Sequence, residues 1–407
     1  MSDVSAPAGP RAATLPATSA PRGLRSTAVL ALGTFAVGTD AFVVAGFLPA
    51  MSASLGVSTA TAGQSVTVFA LSYAVLAPIV STVAARAPRR LLLVTALLVL
   101  TAANLGSALA SSLPVLLATR VLAAAGAAGY TPNAGAVSAA LVRPEQRGRA
   151  LAVVIGGLTV ATALGVPLGT LLNQITDWRT VLIAVALLCL VVAAGIRLVM
   201  PALPGSPRTP LRQRLAVLRR PAVLTVLPLT VLGMASCYTI YAYSIPALHA
   251  AGAPVSWAGL MLFLYGAGAV AGNLSAGYAV DRWGPVPLLA GAYTLMTVVL
   301  AAGGWLAASD ARLPVLVAAI ALGWGASSWS QTPAQQHRLI AAAPAEAPLV
   351  ISLNSSGIYL GIALGTAAGG ATFGAGFPAM YLAGAAGAVL ALVVLLMTAR
   401  GTTGVGS

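Results

Sequence analysis

The amino-acid sequence predicts an all-α membrane protein with twelve transmembrane helices in two similar six-helix halves. Three observations lead to this fold class: the composition, the number of long apolar runs and the placement of the arginines. Hydrophobic residues make up 59% of the 407 positions and charged residues only 7%, whereas soluble domains carry roughly 25% charged residues. A chain this apolar cannot cover a globule with polar surface, so most of its surface must face lipid.

Twelve apolar runs are long enough to cross the ~30 Å hydrocarbon layer of a bilayer. They fall approximately at 26–50, 61–84, 91–110, 113–141, 149–172, 178–199, 222–248, 257–280, 286–308, 313–336, 348–372 and 376–399. The break after the sixth run is rich in proline and arginine. We therefore predict a six-helix bundle at 26–200, a cytoplasmic linker at 201–221 and a second bundle at 222–400. Residues 1–25 are predicted to be a disordered cytoplasmic tail, and residues 401–407 a second tail.

The arginines orient the predicted bundle. The sequence has no lysine, and every arginine except Arg120, Arg179 and Arg312 falls in a segment that this topology places in the cytoplasm. This bias follows the positive-inside rule, so the net charge of +14 indicates topology and not a nucleic-acid partner. We expect a multi-pass monomer in the lipid bilayer of the bacterial inner membrane, with both termini in the cytoplasm.

The two halves of the sequence repeat each other at an offset of 197 to 201 residues. Leu-Pro-Val-Leu at 113–116 recurs at 313–316, Thr-Pro at 131–132 recurs at 332–333, and Ala-Leu-Gly at 163–165 recurs at 363–365. Chance matches between alanine-rich segments would not keep so steady an offset. A duplicated six-helix unit is therefore predicted, and such repeats build alternating-access transporters.

The fifth and eleventh predicted helices carry small residues at every fourth position. These are Gly157, Ala161, Gly165 and Gly169 in the fifth, and Gly357, Gly361, Gly365 and Gly369 in the eleventh. Such stripes let helix backbones approach closely within a bilayer. Two interpretations stay open, static packing of the helices and a sliding seam between the two halves.

Four motifs occur within or next to the predicted helices. They are Asp40 followed by Leu48-Pro49 in the first helix, Arg120 in the fourth, Leu164 to Thr170 followed by Asp177-Trp178-Arg179 in the fifth, and Gly277, Asp281, Arg282 and Gly284 after the eighth. Over residues 26–400 the chain resembles the major facilitator superfamily, specifically its twelve-span drug:proton antiporters. The best match is the branch of chloramphenicol-resistance and sugar-efflux permeases.

The resemblance implies roles for these motifs. Gly165, Pro167 and Gly169 correspond to the antiporter motif. The cytoplasmic gating motif corresponds to Gly277, Asp281, Arg282 and Gly284, together with Arg86, Arg89 and Arg90 of the first-half loop. The chain departs from the family at Ser81, Ala85 and Pro88, where glycine, aspartate and glycine are expected. The first-half loop thus lacks its carboxylate.

Asp40 is the only carboxylate within a predicted span. A charged side chain there costs about 3 kcal/mol or more, so it indicates function. Arg120 lies at a similar predicted depth in the outer half of the bilayer. Three interpretations stay open: Asp40 binds the coupling proton, it binds a cationic group of the substrate, or it forms a static ion pair with Arg120.

The family fold implies a central cavity lined by helices 1, 4, 7 and 10. Its candidate residues are Tyr238 and Tyr241 of helix 7 and Trp324 of helix 10, to which helix 8 adds Tyr265 and helix 11 adds Asn354 and Tyr359. An aromatic cavity with few polar groups suits an amphipathic organic molecule of drug size. We therefore expect a proton-coupled exporter of small organic compounds such as antibiotics, with export of sugars or nucleosides as the alternative.

Other function classes fit the sequence less well. Without lysine the chain contains no phosphate-binding P-loop, so transport would draw on an ion gradient. The seven acidic residues and two histidines form no plausible catalytic cluster, and we expect neither an enzyme nor a metal or cofactor site. A non-transporting membrane sensor is a further alternative, which no attached soluble domain supports.

Overall fold

The computed structural model describes residues 20–143, 146–205, 212, 216–309 and 311–400. Within these residues we label twelve long helices in chain order. They are α1 (Ala20–Phe42), α2 (Thr59–Val83), α3 (Arg89–Ala108), α4 (Leu113–Ala140), α5 (Arg147–Val160, continued by Val166–Ile175), α6 (Trp178–Val199), α7 (Pro221–Tyr241), α8 (Ala258–Trp283), α9 (Pro285–Ala308), α10 (Pro314–Ala342), α11 (Ala347–Thr372) and α12 (Phe377–Arg400).

Eleven helices of the described chain are long and apolar enough to cross a membrane. The exception among the labelled helices is α10, which is 29 residues long but carries many polar side chains. Several of them, including Ser327, Ser328, Gln331 and Gln335, are buried inside the protein. The all-α membrane fold is thus confirmed, and eleven of the twelve predicted spans meet both criteria.

The first predicted span is broken in the structure. α1 ends at Phe42, a 3-10 turn covers Val43–Gly46, and a short helix then runs over Leu48–Leu55. Pro49 explains the break because proline has no backbone N–H to donate to a carbonyl oxygen of the preceding turn. The same break follows α7, where Pro246 lies in the short helix Ser244–Ala250. This break places Asp40 in the last turn of α1.

The helices pack in the same pairs in both halves. In the first half α1 packs on α5 and α6, α2 on α4, and α3 on α4 and α6. In the second half α7 packs on α11 and α12, α8 on α10, and α9 on α10 and α12. Between the halves, α2 packs on α11 and α8 packs on α5. These pairs are those expected if α7–α12 repeat α1–α6.

The glycine stripes face helices of their own half. A Cβ atom on Gly165 would lie 2.2 Å from the Thr39 hydroxyl oxygen of α1. A Cβ on Gly365 would lie 2.3 Å from the Ala235 carbonyl oxygen of α7. The structure therefore favours static packing for these stripes, and not a sliding seam between the halves.

The halves approach each other at a different glycine. α5 contains a π-helical turn over Ala161–Gly165, just before Pro167. Such a turn accommodates a helix-internal proline, which leaves a carbonyl one turn earlier without its usual donor. Beside this turn, a Cβ on Gly266 of α8 would lie 2.3 Å from the Ala163 Cα atom. The π turn therefore lies where α5 meets the second half.

The predicted tails and linker are described only in part. Residues 1–19 and 401–407 lie outside the described residues, and α1 already begins at Ala20, inside the tail predicted at 1–25. Within the linker, 206–211 and 213–215 also lie outside them. Its first residues pack on the loop between α2 and α3, where the Arg89 backbone N–H donates to the Leu203 carbonyl oxygen at 2.9 Å.

Candidate functional site

Asp40 and Arg120 form an ion pair between α1 and α4. Arg120 Nη1 donates to Asp40 Oδ1 at 2.9 Å, and Nη2 donates to the Asp40 backbone oxygen at 3.2 Å. Arg120 is 1% exposed and Asp40 is 0% exposed. Of the residues that the structure describes, Asp40 is the one buried acidic side chain. The fold thus brings together the two charges that the sequence placed at a similar depth.

The ion pair leaves polar atoms unsatisfied. Asp40 Oδ2 and Arg120 Nε are buried without a hydrogen-bond partner. The guanidinium carbon of Arg120 lies 4.7 Å from the centre of the Phe69 ring of α2, a distance at which the ring face attracts a cation. Oδ2 is therefore an oxygen that can accept a proton while Oδ1 stays in contact with Arg120.

Phe69 also belongs to an aromatic contact between the two halves. Tyr359 of α11 stacks on Tyr73 of α2 with 3.7 Å between ring centroids, and its centroid is 6.2 Å from that of Phe69. Tyr359 was predicted to line the cavity. In the structure it lies in the α2–α11 interface, and Phe69 connects this interface to the charge pair.

Four of the predicted cavity residues form one aromatic cluster in the second half. The ring centroids are 4.9 Å apart for Tyr238 and Tyr241, 5.0 Å for Tyr241 and Tyr265, and 4.7 Å for Tyr265 and Trp324. Three helices, α7, α8 and α10, supply these rings. The cluster is held by helix pairs that pack within the same half.

One further aromatic residue, which was not predicted from the sequence, lies against this cluster. Phe42 of α1 places its ring centroid 6.3 Å from Tyr238, 6.2 Å from Tyr241 and 6.0 Å from Trp329 of α10. Phe42 is the last residue of α1, two positions after Asp40. In the sequence, its position two residues after Asp40, the one acidic residue of the span, could have marked Phe42 as a candidate site residue.

The cluster contains a few polar atoms. Cys237 Sγ accepts a hydrogen bond from the Ser328 hydroxyl at 2.9 Å and lies 3.4 Å from the Tyr265 hydroxyl. The Tyr241 hydroxyl is buried without a hydrogen-bond partner, whereas Trp324 lies within hydrogen-bonding reach of Cys237. An unpaired buried donor costs free energy that an acceptor would recover. The cluster therefore presents aromatic faces together with one unpaired hydroxyl donor.

Asn354, the remaining predicted cavity residue, lies elsewhere. Its Oδ1 accepts a hydrogen bond from the Thr230 hydroxyl of α7 at 2.9 Å. Along α7, Thr230 is eight positions from Tyr238, which corresponds to about 12 Å of helix. Asn354 therefore joins α7 to α11 away from the aromatic cluster.

Two arginines of the first gating loop donate to neutral acceptors. Arg89 Nη1 donates to Asn133 Oδ1 of α4 at 2.8 Å, and Arg90 Nη1 donates to the Met200 carbonyl oxygen at 3.2 Å. Arg86 is exposed, and Ala85, at the position of the family carboxylate, is buried. The loop is thus fixed to α4 and to the end of α6.

The second gating motif lies at the exposed end of α8. Asp281 and Arg282 are exposed, and Arg282 Nη1 donates to the Tyr278 hydroxyl at 3.4 Å. Gly284 has a φ of 82°, a conformation that glycine adopts without strain. Gly277 has open space around it, since a Cβ there would meet nothing within 4 Å.

The antiporter motif continues to the junction between α5 and α6. A Cβ on Gly169 would lie 2.3 Å from Val43 Cγ2, just after α1. The Thr180 backbone N–H donates to Asp177 Oδ1, which lowers the pKa of this carboxyl. Arg179 donates to the Ser54 hydroxyl at 2.7 Å and to a carbonyl of the α3–α4 loop at 3.0 Å. At one end of the first half, the contacts of Arg179 connect α6 to the short helix Leu48–Leu55 and to the α3–α4 loop.

Comparisons of the sequence with known proteins agree on one family. A family model described as Major Facilitator Superfamily matches residues 30–252. A chloramphenicol resistance protein of Streptomyces lividans is 38% identical over 74% of this chain and 77% of its own length. The inner membrane transport protein YdhP of Escherichia coli (strain K12) is 32% identical over 81% of this chain and 84% of its own length.

A solved structure has the same fold. The crystal structure of a mutant of the nucleoside transporter NupG superposes with a TM-score of 0.73, covering 92% of this chain and 99% of that one. The sequence identity is 11%, so this similarity bears on the fold and not on the substrate.

Proposed function

Because this chain belongs to the major facilitator superfamily, we propose that it exports small amphipathic organic compounds, antibiotics among them, in exchange for protons. Drug export is supported by the 38% identity to a chloramphenicol resistance protein over 74% of the chain. Export of sugars or nucleosides is the alternative within the same fold. The nucleoside transporter that superposes on this chain is 11% identical, and its substrate does not favour either choice.

The observation that carries proton exchange is the buried pair of Asp40 and Arg120. A proton that binds the unpaired Oδ2 neutralises the carboxylate and weakens its attraction for Arg120. When the proton leaves, the charge returns and the pair closes again. Because Arg120 cannot lose its own proton, Asp40 is the member that changes charge. The pair therefore works as a proton-dependent contact between α1 and α4.

The membrane arrangement is proposed with the function. α10 becomes the twelfth span, because its polar side chains are turned into the protein and leave an apolar face for lipid. Two six-helix bundles then meet through α2 with α11 and α5 with α8, the interfaces that alternating access would open in turn. The arginine distribution supports cytoplasmic placement of both termini.

Everted membrane vesicles test the proposal. With a proton gradient imposed, vesicles containing the protein are expected to accumulate radiolabelled chloramphenicol or another member of an antibiotic panel against its gradient. An uncoupler is expected to abolish this accumulation. Uridine and glucose in the same panel test the alternative. Accumulation of no member of the panel above that of vesicles without the protein would refute proton-driven export.

A further inference from the structure

Phe42 is a residue of the first half that is held in an aromatic site of the second half. Its ring meets Tyr241 and Trp329 edge to face, with interplanar angles of 85° in both cases, and Tyr238 lies on a third side. Phe42 is 6% exposed. Edge-to-face contacts are those that a bound aromatic ring prefers, so Phe42 sits in the protein as an aromatic ligand would.

We propose that Phe42 occupies the place of the substrate's aromatic ring in this conformation, and that the substrate is a neutral aromatic compound with a hydrogen-bond acceptor. This inference rests on the proposed transport function and adds the place and the class of the substrate. Transport then requires the ring of the substrate to displace Phe42 from the rings of α7 and α10.

The acceptor follows from an unpaired donor of the cluster. The Tyr241 hydroxyl has no hydrogen-bond partner, and Tyr241 is 2% exposed. The Tyr241 ring contacts Phe42 directly. A phenyl ring cannot accept a normal hydrogen bond from that hydroxyl, whereas a nitro, amide or carbonyl oxygen beside the ring of a substrate can. The site is therefore better matched to such a substrate than to Phe42.

Neutrality follows from the charges around the site. The rings that meet Phe42 are uncharged, and the nearby carboxylate of Asp40 is bound by Arg120 at 2.9 Å. A cation in this site would be attracted only by the faces of the surrounding rings and would lack a counter-charge unless that pair broke. A neutral ligand makes no such demand.

Phe42 is also connected to the charge pair. Phe42 and Asp40 share the last turn of α1, and Arg120 holds that turn through both the side chain and the backbone oxygen of Asp40. A movement of Phe42 out of the aromatic cluster therefore acts on the turn that carries the proposed proton-binding residue.

The direction in which ligand affinity changes in one variant tests whether the ligand displaces Phe42. The full-length protein in lipid nanodiscs is titrated with radiolabelled chloramphenicol, a neutral one-ring compound with nitro and amide oxygens. If the ring of Phe42 competes with the ligand, Phe42→Ala is expected to bind it about tenfold more tightly, the equivalent of one aromatic pair. If Phe42 is instead a wall of the site, its removal weakens binding.

Two further variants serve as controls for misfolding in this test. Phe42→Leu keeps most of the packing volume without an aromatic edge, and a smaller tightening is expected. Phe263→Ala removes a ring that is 42% exposed on α8, and its affinity is expected to match that of the unmodified protein. If Phe42→Ala does not fold, Phe42→Leu decides the sign.

The hydrogen-bond donor is tested separately. Tyr241→Phe is expected to weaken chloramphenicol binding about fivefold, the effect of one neutral hydrogen bond. Tyr381→Phe is the matched control, because its hydroxyl is also buried and unpaired but its ring packs against Gly303 and Gly304 of α9. Tyr381→Phe is expected to leave the affinity unchanged.

Three results would overturn the inference. They are weaker binding in both Phe42 variants, tighter binding of the tetraphenylphosphonium cation than of chloramphenicol, and no saturable chloramphenicol binding in the unmodified protein or in Phe42→Ala. Proton-driven export of a cation such as ethidium in everted vesicles, seen together with any of these, would leave the transport function standing. The inference about Phe42 and the class of the substrate would then be wrong, and the proposed export would not.

Discussion

Replacement of Asp40 by asparagine removes the buried negative charge at nearly constant side-chain volume. Arg120, which is 1% exposed, then keeps its charge without a counter-charge. Breaking one partner of a buried ion pair costs about 3–5 kcal/mol. Arg120 Nη2 retains the Asp40 backbone oxygen at 3.2 Å, and the guanidinium retains the Phe69 ring at 4.7 Å. We therefore expect the lower end of that range, about 3 kcal/mol of lost stability.

The double variant separates proton coupling from a static pair. Asp40→Asn with Arg120→Gln replaces both charges by amides that can bond to each other, so most of the lost stability is expected to return. Under proton coupling, neither the single nor the double variant exports chloramphenicol against its gradient, because an amide does not gain and lose a proton. Under a static pair, the double variant regains export together with stability.

The assay combines thermal unfolding in detergent with proton-driven accumulation in everted vesicles at matched expression. Asp281→Asn is the control for stability, because it removes an acid that is exposed at the end of α8 and exposed charges contribute little. A well-folded Asp40→Asn protein that still pumps uphill would refute the coupling role. Recovery of pumping in the double variant would refute it as well.

Three further predictions concern packing and topology. Gly165→Leu and Gly365→Leu are expected to impair transport in protein that still inserts, because overpacking costs about 1–3 kcal/mol. Gly156→Leu is the control and should transport normally, because Gly156 has open space around it. Efflux at matched expression measures all three variants. Arg179→Ala is expected to lower stability by about 1 kcal/mol through two lost hydrogen bonds, and an unchanged melting temperature would contradict this. Tags after α12 and in the α6–α7 linker are expected to resist an impermeant reagent added outside cells, and labelling of either would overturn the topology.

The sequence predicted the helices well because hydropathy is a local property. Each of the twelve apolar runs corresponds to a long helix in the structure, and the offset repeat anticipated the matching helix pairs of the two halves. The resemblance to the major facilitator superfamily is confirmed by the family match over residues 30–252. Asp40 and Arg120 were identifiable because a charge within an apolar run is costly and therefore conspicuous.

The contacts between the halves could not be predicted in the same way. Phe42 and Tyr73 are ordinary aromatic residues of apolar helices, and their roles depend on which helix of the other half faces them. The stripe at Gly165 and Gly365 indicated close packing, but periodicity does not say which partner helix is close. The π turn over Ala161–Gly165 likewise arises from Pro167 in its packed setting, and hydropathy gives no signal for it.

The first gating loop shows how the chain can lack a family carboxylate and still hold its arginines. Ala85 is buried where the family has aspartate, so a charge there would have to be desolvated. Arg89 instead bonds to the Asn133 amide oxygen, and Arg90 to a carbonyl oxygen at the end of α6. Within the described part of the chain, Asp40 is the one buried acidic side chain. Asp40 is therefore the position where we expect loss of charge to stop exchange.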